Sequence, residues 1–397
     1  MYLFDNLYFD SLLFSESASK SFPIMQIRYL FLIYAIVVLV SCRKDESMEP
    51  PQIEYMFAGD VLISEKMFIA EDEVLSIAPG STIRFAPGAS LESFAPISIV
   101  GTKSEPITLI SEDNINDHWI LRPWEGAGTF DLMHTYVING LITTHDTDCH
   151  FKNVNFFNNK DLEWNSACTR FWKGEILIED CVMDWNRKGE GFLVHGIHQP
   201  IVRNCTFKKV NDAVEFINCT DGVIRNCTFL SNSDDAIDLN DCDNILLTNN
   251  EFYGTKNRAL EIGGDVGGNS INIKIINNLF VDCKIAVNVK DNSDAIVENI
   301  TVIGTETALE IIHEENDGLM SNADVYNSVI VDTRWPTFTK ESTLSLTNCM
   351  SEDLLPDGTN IIQTTVEFAD TAMNDYRIVS STFPTGMDAT TMGYQKQ

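Results

Sequence analysis

Basic residues are scarce in this chain: 27 Lys and Arg stand against 58 Asp and Glu, a formal charge of −31. Such a chain repels phosphate backbones and anionic lipid surfaces, which excludes nucleic acid as a partner and favours divalent cations. An acidic polymer would need cations placed locally to hold it. Long apolar runs are also missing. The one candidate, Tyr29 to Val40, is twelve residues long and too short to cross a bilayer as a helix. The ten cysteines form no paired CxxC knuckles and no Cys/His finger spacing, and they are too few for a small disulfide scaffold. What is present is enough for a folded chain, with 44% hydrophobic and 10% aromatic residues.

The apolar run carries an address. It follows Met25-Gln26-Ile27-Arg28, a short start with one positive charge, and reads as the apolar part of a secretory signal. The true start is then expected at Met25. Leu39-Val40-Ser41-Cys42 resembles a bacterial lipobox, in which the Cys is lipidated and becomes the mature N-terminus. Arg43-Lys44-Asp45-Glu46 resembles the export signal of Bacteroidetes surface lipoproteins. The resemblance implies a lipid anchor at Cys42 in the outer membrane, facing the cell exterior. Lipoprotein processing adds more than one acyl chain, and such anchoring is stable where a single chain is marginal. The expected organisation is a signal region over 1–42, a tether over 43–56, a β domain over 57–350 and a closing segment over 351–397.

Beyond the tether no helical period exists. Short β-branched runs alternate with Asn, Asp and Gly, the patterning of an all-β chain. One pattern recurs, an Asn or Asp followed three residues later by a large or apolar side chain in all but the last instance, where Ser351 stands. It begins at Asn153, Asp180, Asn204, Asn226, Asn249, Asn277, Asn299, Asn327 and Asn348, with a mean step of about 24 residues. That is a solenoid repeat, in which each unit buries its apolar face only against its neighbours. A second register reads Ala213-Val-Glu-Phe216, Ala236-Ile-Asp-Leu239, Ala259-Leu-Glu-Ile262, Ala286-Val-Asn-Val289 and Ala308-Leu-Glu-Ile311. Alternation puts the large apolar residues inside, and the Ala and acid positions outside. Two strand registers per unit with no helix between them predict an all-β, single-stranded right-handed parallel β-helix with an asparagine ladder in one turn. Stacked Asn amides can donate to one neighbour and accept from the other. The pattern resembles the pectate-lyase-like β-helix superfamily over about Val61 to Cys349. The run Leu75 to Leu91 resembles the first coils of surface β-helix proteins, and Asp375–Ser381 with Met392–Tyr394 resembles their closing segment. The segment Asp113–Gly140, with Trp119, Trp124 and Gly126-Ala-Gly128, breaks the period and is expected to form loops over one side. Cys181, Cys205 and Cys227 share one ladder position and Cys219 and Cys242 another, so stacked thiols and disulfides are both open.

Chemistry concentrates in the second register. Its outward column runs Leu193, Glu215, Asp238, Glu261, Asn288, Glu310, and beside it runs Glu190, Asp212, Asp235, Arg258, Ile285, Thr307. The alanines are expected to leave a shallow floor between these rows. Carboxylates stacked at coil spacing repel one another, so they share protons or hold a cation such as Ca²⁺. His195 and His198 are read as solvent-facing turn residues rather than a metal pair. Asp241-Cys-Asp243 with Asn244 could ligate Ca²⁺ but lacks the Gly and distal Glu of a dedicated loop.

Asn211-Asp212-Ala213, Ser233-Asp234-Asp235-Ala236, Arg258 to Gly263 and Val287-Asn-Val-Lys290 resemble the four successive active segments of polygalacturonases. The resemblance places Asp212, Asp234 and Asp235 on that family's three acids, which protonate the leaving group and activate water. It places Lys290 on the lysine that holds a substrate carboxylate. Arg258 stands where the family has His, and Asn288 where it has Arg. The candidate catalytic residues are therefore Asp212, Asp234, Asp235, Arg258 and Lys290, with Glu215, Asp238, Glu261 and Asn288 as substrate-binding residues. The expected partner is a polysaccharide or surface glycan. Hydrolysis would use the three Asp; elimination would use Arg258 or Lys290 as base, with the acids holding Ca²⁺. The alternative is a non-catalytic glycan-binding or adhesion module, for which Trp164, Trp172, Trp185 and Trp335 are available.

Overall fold

The computed structural model describes residues 56–112, 118–158, 167–185, 189–264, 268–313, 319–379 and 392–395. Cys42, the signal region, the tether and Trp164 lie outside these residues. Among the described residues the chain is a parallel β-solenoid of about 12 turns, and its only helical element is a 3₁₀ turn at Thr371–Met373. No helix among them is long and apolar enough to cross a membrane.

Each coil visits three sheets in order. The first has 14 strands, from Asp60–Ile63 to Ile362–Gln363; the second and third have 12 each, from Met67–Ile69 to Trp335–Lys340 and from Leu75–Ser76 to Ser342–Thr347. All pairing within the three sheets is parallel and in register. The Asn-headed and Ala-headed registers are strands of the first and second sheets. The third sheet was not legible as a register of its own, because its strands, such as Val223–Arg225 and Leu246–Thr248, run straight into the Asn corners and merge with that pattern. Equivalent side chains stack inside: Phe207, Phe229, Phe252 and Phe280 lie 4.8 to 5.0 Å apart with planes within 8° of parallel. That spacing is the strand separation itself, so the core grows by repetition.

Corners are turned on single left-handed residues. Asn204, Asn226, Asn249, Asn277, Asn299, Asn327 and Asn348 all have φ between 50 and 57°. Asn tolerates this region where a branched side chain does not. Their amides run along the axis, Asn226 Nδ2 donating to Asn204 Oδ1 at 3.2 Å and Asn277 Nδ2 to Asn249 Oδ1 at 2.6 Å. This ladder lies at the surface except at Asn277, which the tail covers. A second, buried one occupies the next position inward: Asn250 Oδ1 accepts Cys227 N and Asn278 Oδ1 accepts Asn250 N, both at 2.9 Å. Asn250 Nδ2 returns a bond to Ile224 O at 3.0 Å. Cys181, Cys205, Cys227 and Cys349 fill the same column, and all nine described cysteines are buried free thiols.

Two expectations are corrected and a third is extended. Residues 119–138 are regular coil, not loops: Trp119–Pro123, Thr129–Met133 and Thr135–Ile138 are strands of the three sheets. Trp119 is fully buried, stacked on Phe85 at 4.3 Å, and Gly140 gives it room, since a Cβ there would meet the indole at 2.3 Å. The alanine column is not an open floor. Ala213, Ala236, Ala259, Ala286 and Ala308 are wholly buried and belong to the hydrophobic core. The tail, where described, buttresses a side as well as an end: Ile362–Gln363 adds the last strand of the first sheet and Leu355 joins the core, while Tyr394 Oη donates to Glu251 Oε1 at 2.6 Å and Asn277 Nδ2 donates to Gln395 O at 2.9 Å.

Candidate functional site

The second sheet assembles the candidate residues by its register. Leu193, Glu215, Asp238, Glu261, Asn288 and Glu310 pair successively, one per coil, and point outward. Asp212, Asp235 and Arg258 sit at the corner entering this sheet. The two acids cap the next coil: Asp212 Oδ1 accepts Asp235 N, and Asp235 Oδ1 accepts Arg258 N, both at 2.8 Å. Asp234 accepts from Asn257 Nδ2 at 2.8 Å. These carboxyls are therefore held in fixed positions by the backbone whatever else they do.

The result is a compact acid cluster. One oxygen each from Asp212, Asp234 and Asp235 lies within 4.8 Å of the others, and so does one each from Asp235, Asp238 and Glu261. Asp235 and Glu261 are only 6% and 5% exposed. Asp238 accepts from Asn240 Nδ2 at 3.0 Å through one oxygen, while its other oxygen, Oδ1, is buried with no hydrogen-bond partner. Two cations reach the cluster. Arg258 and Lys290 each form an ion pair with Glu261, and Arg258 Nη1 lies 3.5 Å from Asp235 Oδ2. Gly263 clears the path for Lys290, because a Cβ there would come within 2.5 Å of Lys290 Cε. Asn288 donates to Glu310 Oε2 at 2.8 Å, and its own Oδ1 is buried without a partner.

Burial sets the protonation of this set. It pushes Asp212 up to about 7, assisted by the charges of Asp234, Glu190 and Glu261, against the opposing Asp235 N–H. Asp235 rises to about 8, through burial and then the Glu261 charge. Asp238 also rises well above the usual carboxylate range, from burial and then Glu261, Glu215 and Asp235. Burial alone would lower Lys290 and Arg258, but their pairing with Glu261 outweighs it and leaves both above their ordinary values. A cation held protonated in this way is a poor base, so the geometry does not favour Arg258 or Lys290 as the base of an elimination. The acids are better placed, since carboxyls poised near neutrality can give and take protons. The same trios could instead share a Ca²⁺ ion, since a buried oxygen without a partner suits a proton or an oxygen-seeking cation alike.

The lesser candidates do not converge on this site. His195 faces out from the second sheet, 3.3 Å from Asn218 Nδ2, whereas His198 lies at the next corner against Thr220 and Asp221 at 3.1 and 3.2 Å. Asp243 Oδ1 is occupied by Asn272 Nδ2 at 2.8 Å. Asn240, which bridges Asp238 and Glu215, was missed, because an Asn at a strand end reads as a turn residue.

A family model described as "Right handed beta helix region" matches residues 139–271, and a right-handed parallel β-helix is the class of fold this chain adopts. No curated protein matches the sequence. Among solved structures, a periplasmic alginate epimerase AlgG double mutant is similar at 10% identity and TM-score 0.47, over 70% of this chain and 79% of that one. The PL6 family alginate lyase AlyGC is similar at 15% identity and TM-score 0.46, over 84% of this chain but only 57% of the lyase. The family 28 exopolygalacturonase of Yersinia enterocolitica is similar at 12% identity and TM-score 0.46, over 72% of each chain.

Proposed function

We propose that this protein is a lipid-anchored surface β-helix whose acidic groove binds polysaccharide and hydrolyses it. The carrying observation is the convergence of Asp212, Asp234, Asp235, Asp238 and Glu261 on adjacent coils, beside Arg258 and Lys290. In this reading Asp235 gives its proton to the glycosidic oxygen as the bond from the anomeric carbon breaks. Asp212 takes a proton from the water whose oxygen bonds to that carbon. Glu261 fixes Arg258 and Lys290 so that they face a charged or polar sugar, while Glu215 and Asp238 supply acceptors for hydroxyls along the column; Asn288, expected to join them, is wholly buried and holds Glu310 instead. The anchor is Cys42, and the polymer is met outside the cell.

The test is a panel of plant, algal and host glycans, including polygalacturonate and alginate, with reducing ends and unsaturated products followed together. Reducing ends without unsaturation are expected, and Asp235→Asn should lower turnover by more than tenfold. Cys42→Ala should release the protein from the membrane fraction; a variant that stays bound refutes the anchor. A second reading, a non-catalytic glycan binder, is favoured by aromatic side chains exposed along many coils of the same sheet. Binding of a panel member without any cleavage would select it.

A further inference from the structure

The second sheet carries another column, two residues beyond the acids on each strand, and in the early coils it is aromatic. Register places Trp172 against His145 and against His195, with Ile217 and Asn240 following on the next coils. Pro123, which precedes Trp124, pairs with Ser93, which precedes Phe94, so these two rings extend the column backward. Phe68 packs onto Phe94. The column thus leads coil by coil from Phe94 into Asn240, which binds Asp238, and then to Gly263 and Lys290 at the acid cluster. The column and the acid cluster share one face of the second sheet.

The rings are held for presentation. Phe68 and Phe94 lie 6.1 Å apart with planes at 21°, and Phe94 and Trp124 lie 5.7 Å apart at 10°. Parallel rings touch at about 3.5–4 Å. Centroid separations of 5.7 and 6.1 Å therefore mean that each ring slides past the next like a shingle and leaves part of one face open. Trp124 and Trp172 remain 37% and 41% exposed. The orientation of Trp124 is built in: its Nε1 donates at 2.9 Å to Glu92, a carboxylate only 2% exposed that also pairs with Lys66 at 2.6 Å. Arg122 lies over the Trp124 ring at 5.6 Å, and the neighbouring outward column supplies Thr143 and Arg170. In a chain of charge −31 this stretch of sheet is locally rich in cations.

We infer that Phe94, Trp124, His145, Trp172 and His195 form a stacking platform for a long glycan, which lies along the helix axis and enters the acid cluster at its far end. The inference rests on the polysaccharide reading of the groove. A folded protein partner would want a closed apolar patch, whereas here rings alternate with charged and hydroxyl groups on the adjacent column. Pyranose rings match that mixture, with an apolar face for the indole and hydroxyls or carboxylates for Arg122, Thr143 and Arg170. One ring per coil advances by about 4.8 Å, close to the advance of one sugar in an extended chain.

The experiment is affinity electrophoresis of the full chain in gels containing alginate or polygalacturonate, repeated with oligosaccharides of increasing length. Trp124→Ala combined with Trp172→Ala should weaken polymer binding at least tenfold, with a loss that grows with chain length. Phe157→Ala, removing an exposed ring from the first sheet, should bind as the parent does. Thermal unfolding of each variant checks the fold. Asp235→Asn separates the two readings: if it abolishes turnover while the tryptophan variants leave polymer affinity unchanged, the groove stands and the platform falls. If the parent binds polymer through the tryptophans yet cleaves nothing, the platform stands and hydrolysis falls. If the parent is a dimer that the tryptophan substitutions split, with no change in glycan affinity, the face is a protein interface and the proposal is overturned.

Discussion

Asp235→Asn tests the electrostatics of the cluster without needing a substrate. Its carboxyl is raised from 3.8 to about 8 by burial and by Glu261. Between those values the folded chain holds a proton at this site that the unfolded chain has already lost. Unfolding then releases that proton, so stability falls as pH rises, by about 1.4 kcal/mol per pH unit for each such proton. Asp212, raised to about 7, and Asp238 add to the same slope. Asparagine keeps the oxygen that accepts Arg258 N and removes the titration, so the fold should survive. In urea unfolding at pH 5, 6 and 7, within the window set by 3.8 and about 8, the parent should lose stability steadily. The variant should lose less, its slope shallower by one proton, about 1.4 kcal/mol per unit. Because neighbouring acids titrate together, the difference belongs to the set, and a shortfall to half that value is consistent with sharing. Parallel slopes for parent and variant would refute the reasoning, because Asp235 would then be ionised in the folded protein like any surface carboxylate.

Two further outcomes follow from the coils themselves. Asn250→Leu should destabilise by about 2–4 kcal/mol, because it leaves the buried Cys227 N without its acceptor, at about 1–3 kcal/mol, and removes the bond to Ile224 O, at about 0.5–1.5 kcal/mol. Asn226→Leu should cost only about 1–2 kcal/mol, the strain of a left-handed leucine at φ 54°, so chemical denaturation giving the reverse order would overturn the assignment of the buried ladder. In Cys42→Ala protein a thiol reagent should label none of the nine described cysteines in the native state and all nine in denaturant. A count of seven or fewer would mean that a stacked pair such as Cys219–Cys242 has oxidised.

Much of this architecture was legible because a solenoid writes its geometry once per coil. The recurring Asn at about 24 residues marks a corner where the backbone must go left-handed, and Asn is one of few residues that go there readily. The acid column was legible for the same reason, since alternation on one strand fixes which residues share a face. What the pattern did not carry was depth. Ala213 and Ala236 have outward parity yet belong to the core, because they stand at the corner just before their strands begin, where alternation no longer holds. The ladder was read at Asn249 and Asn277, whereas the buried bonds to the backbone are made by Asn250 and Asn278, one position on. The aromatic column was missed because its members stand 30, 21, 27 and 23 residues apart from Phe94 through Trp124, His145 and Trp172 to His195. Those steps count strands plus loops, and only the strands are held in register.

The central claim is that the acid cluster hydrolyses glycosidic bonds, and the most direct measurement is the fate of solvent oxygen. Polymer that the protein cleaves is digested in ¹⁸O-water and the fragments are weighed. Hydrolysis through Asp235 and Asp212 predicts one heavy oxygen at each new reducing end, and a loss of that product in Asp235→Asn. Unlabelled fragments, each chain cut leaving one unsaturated end, would contradict the account and assign the groove to elimination.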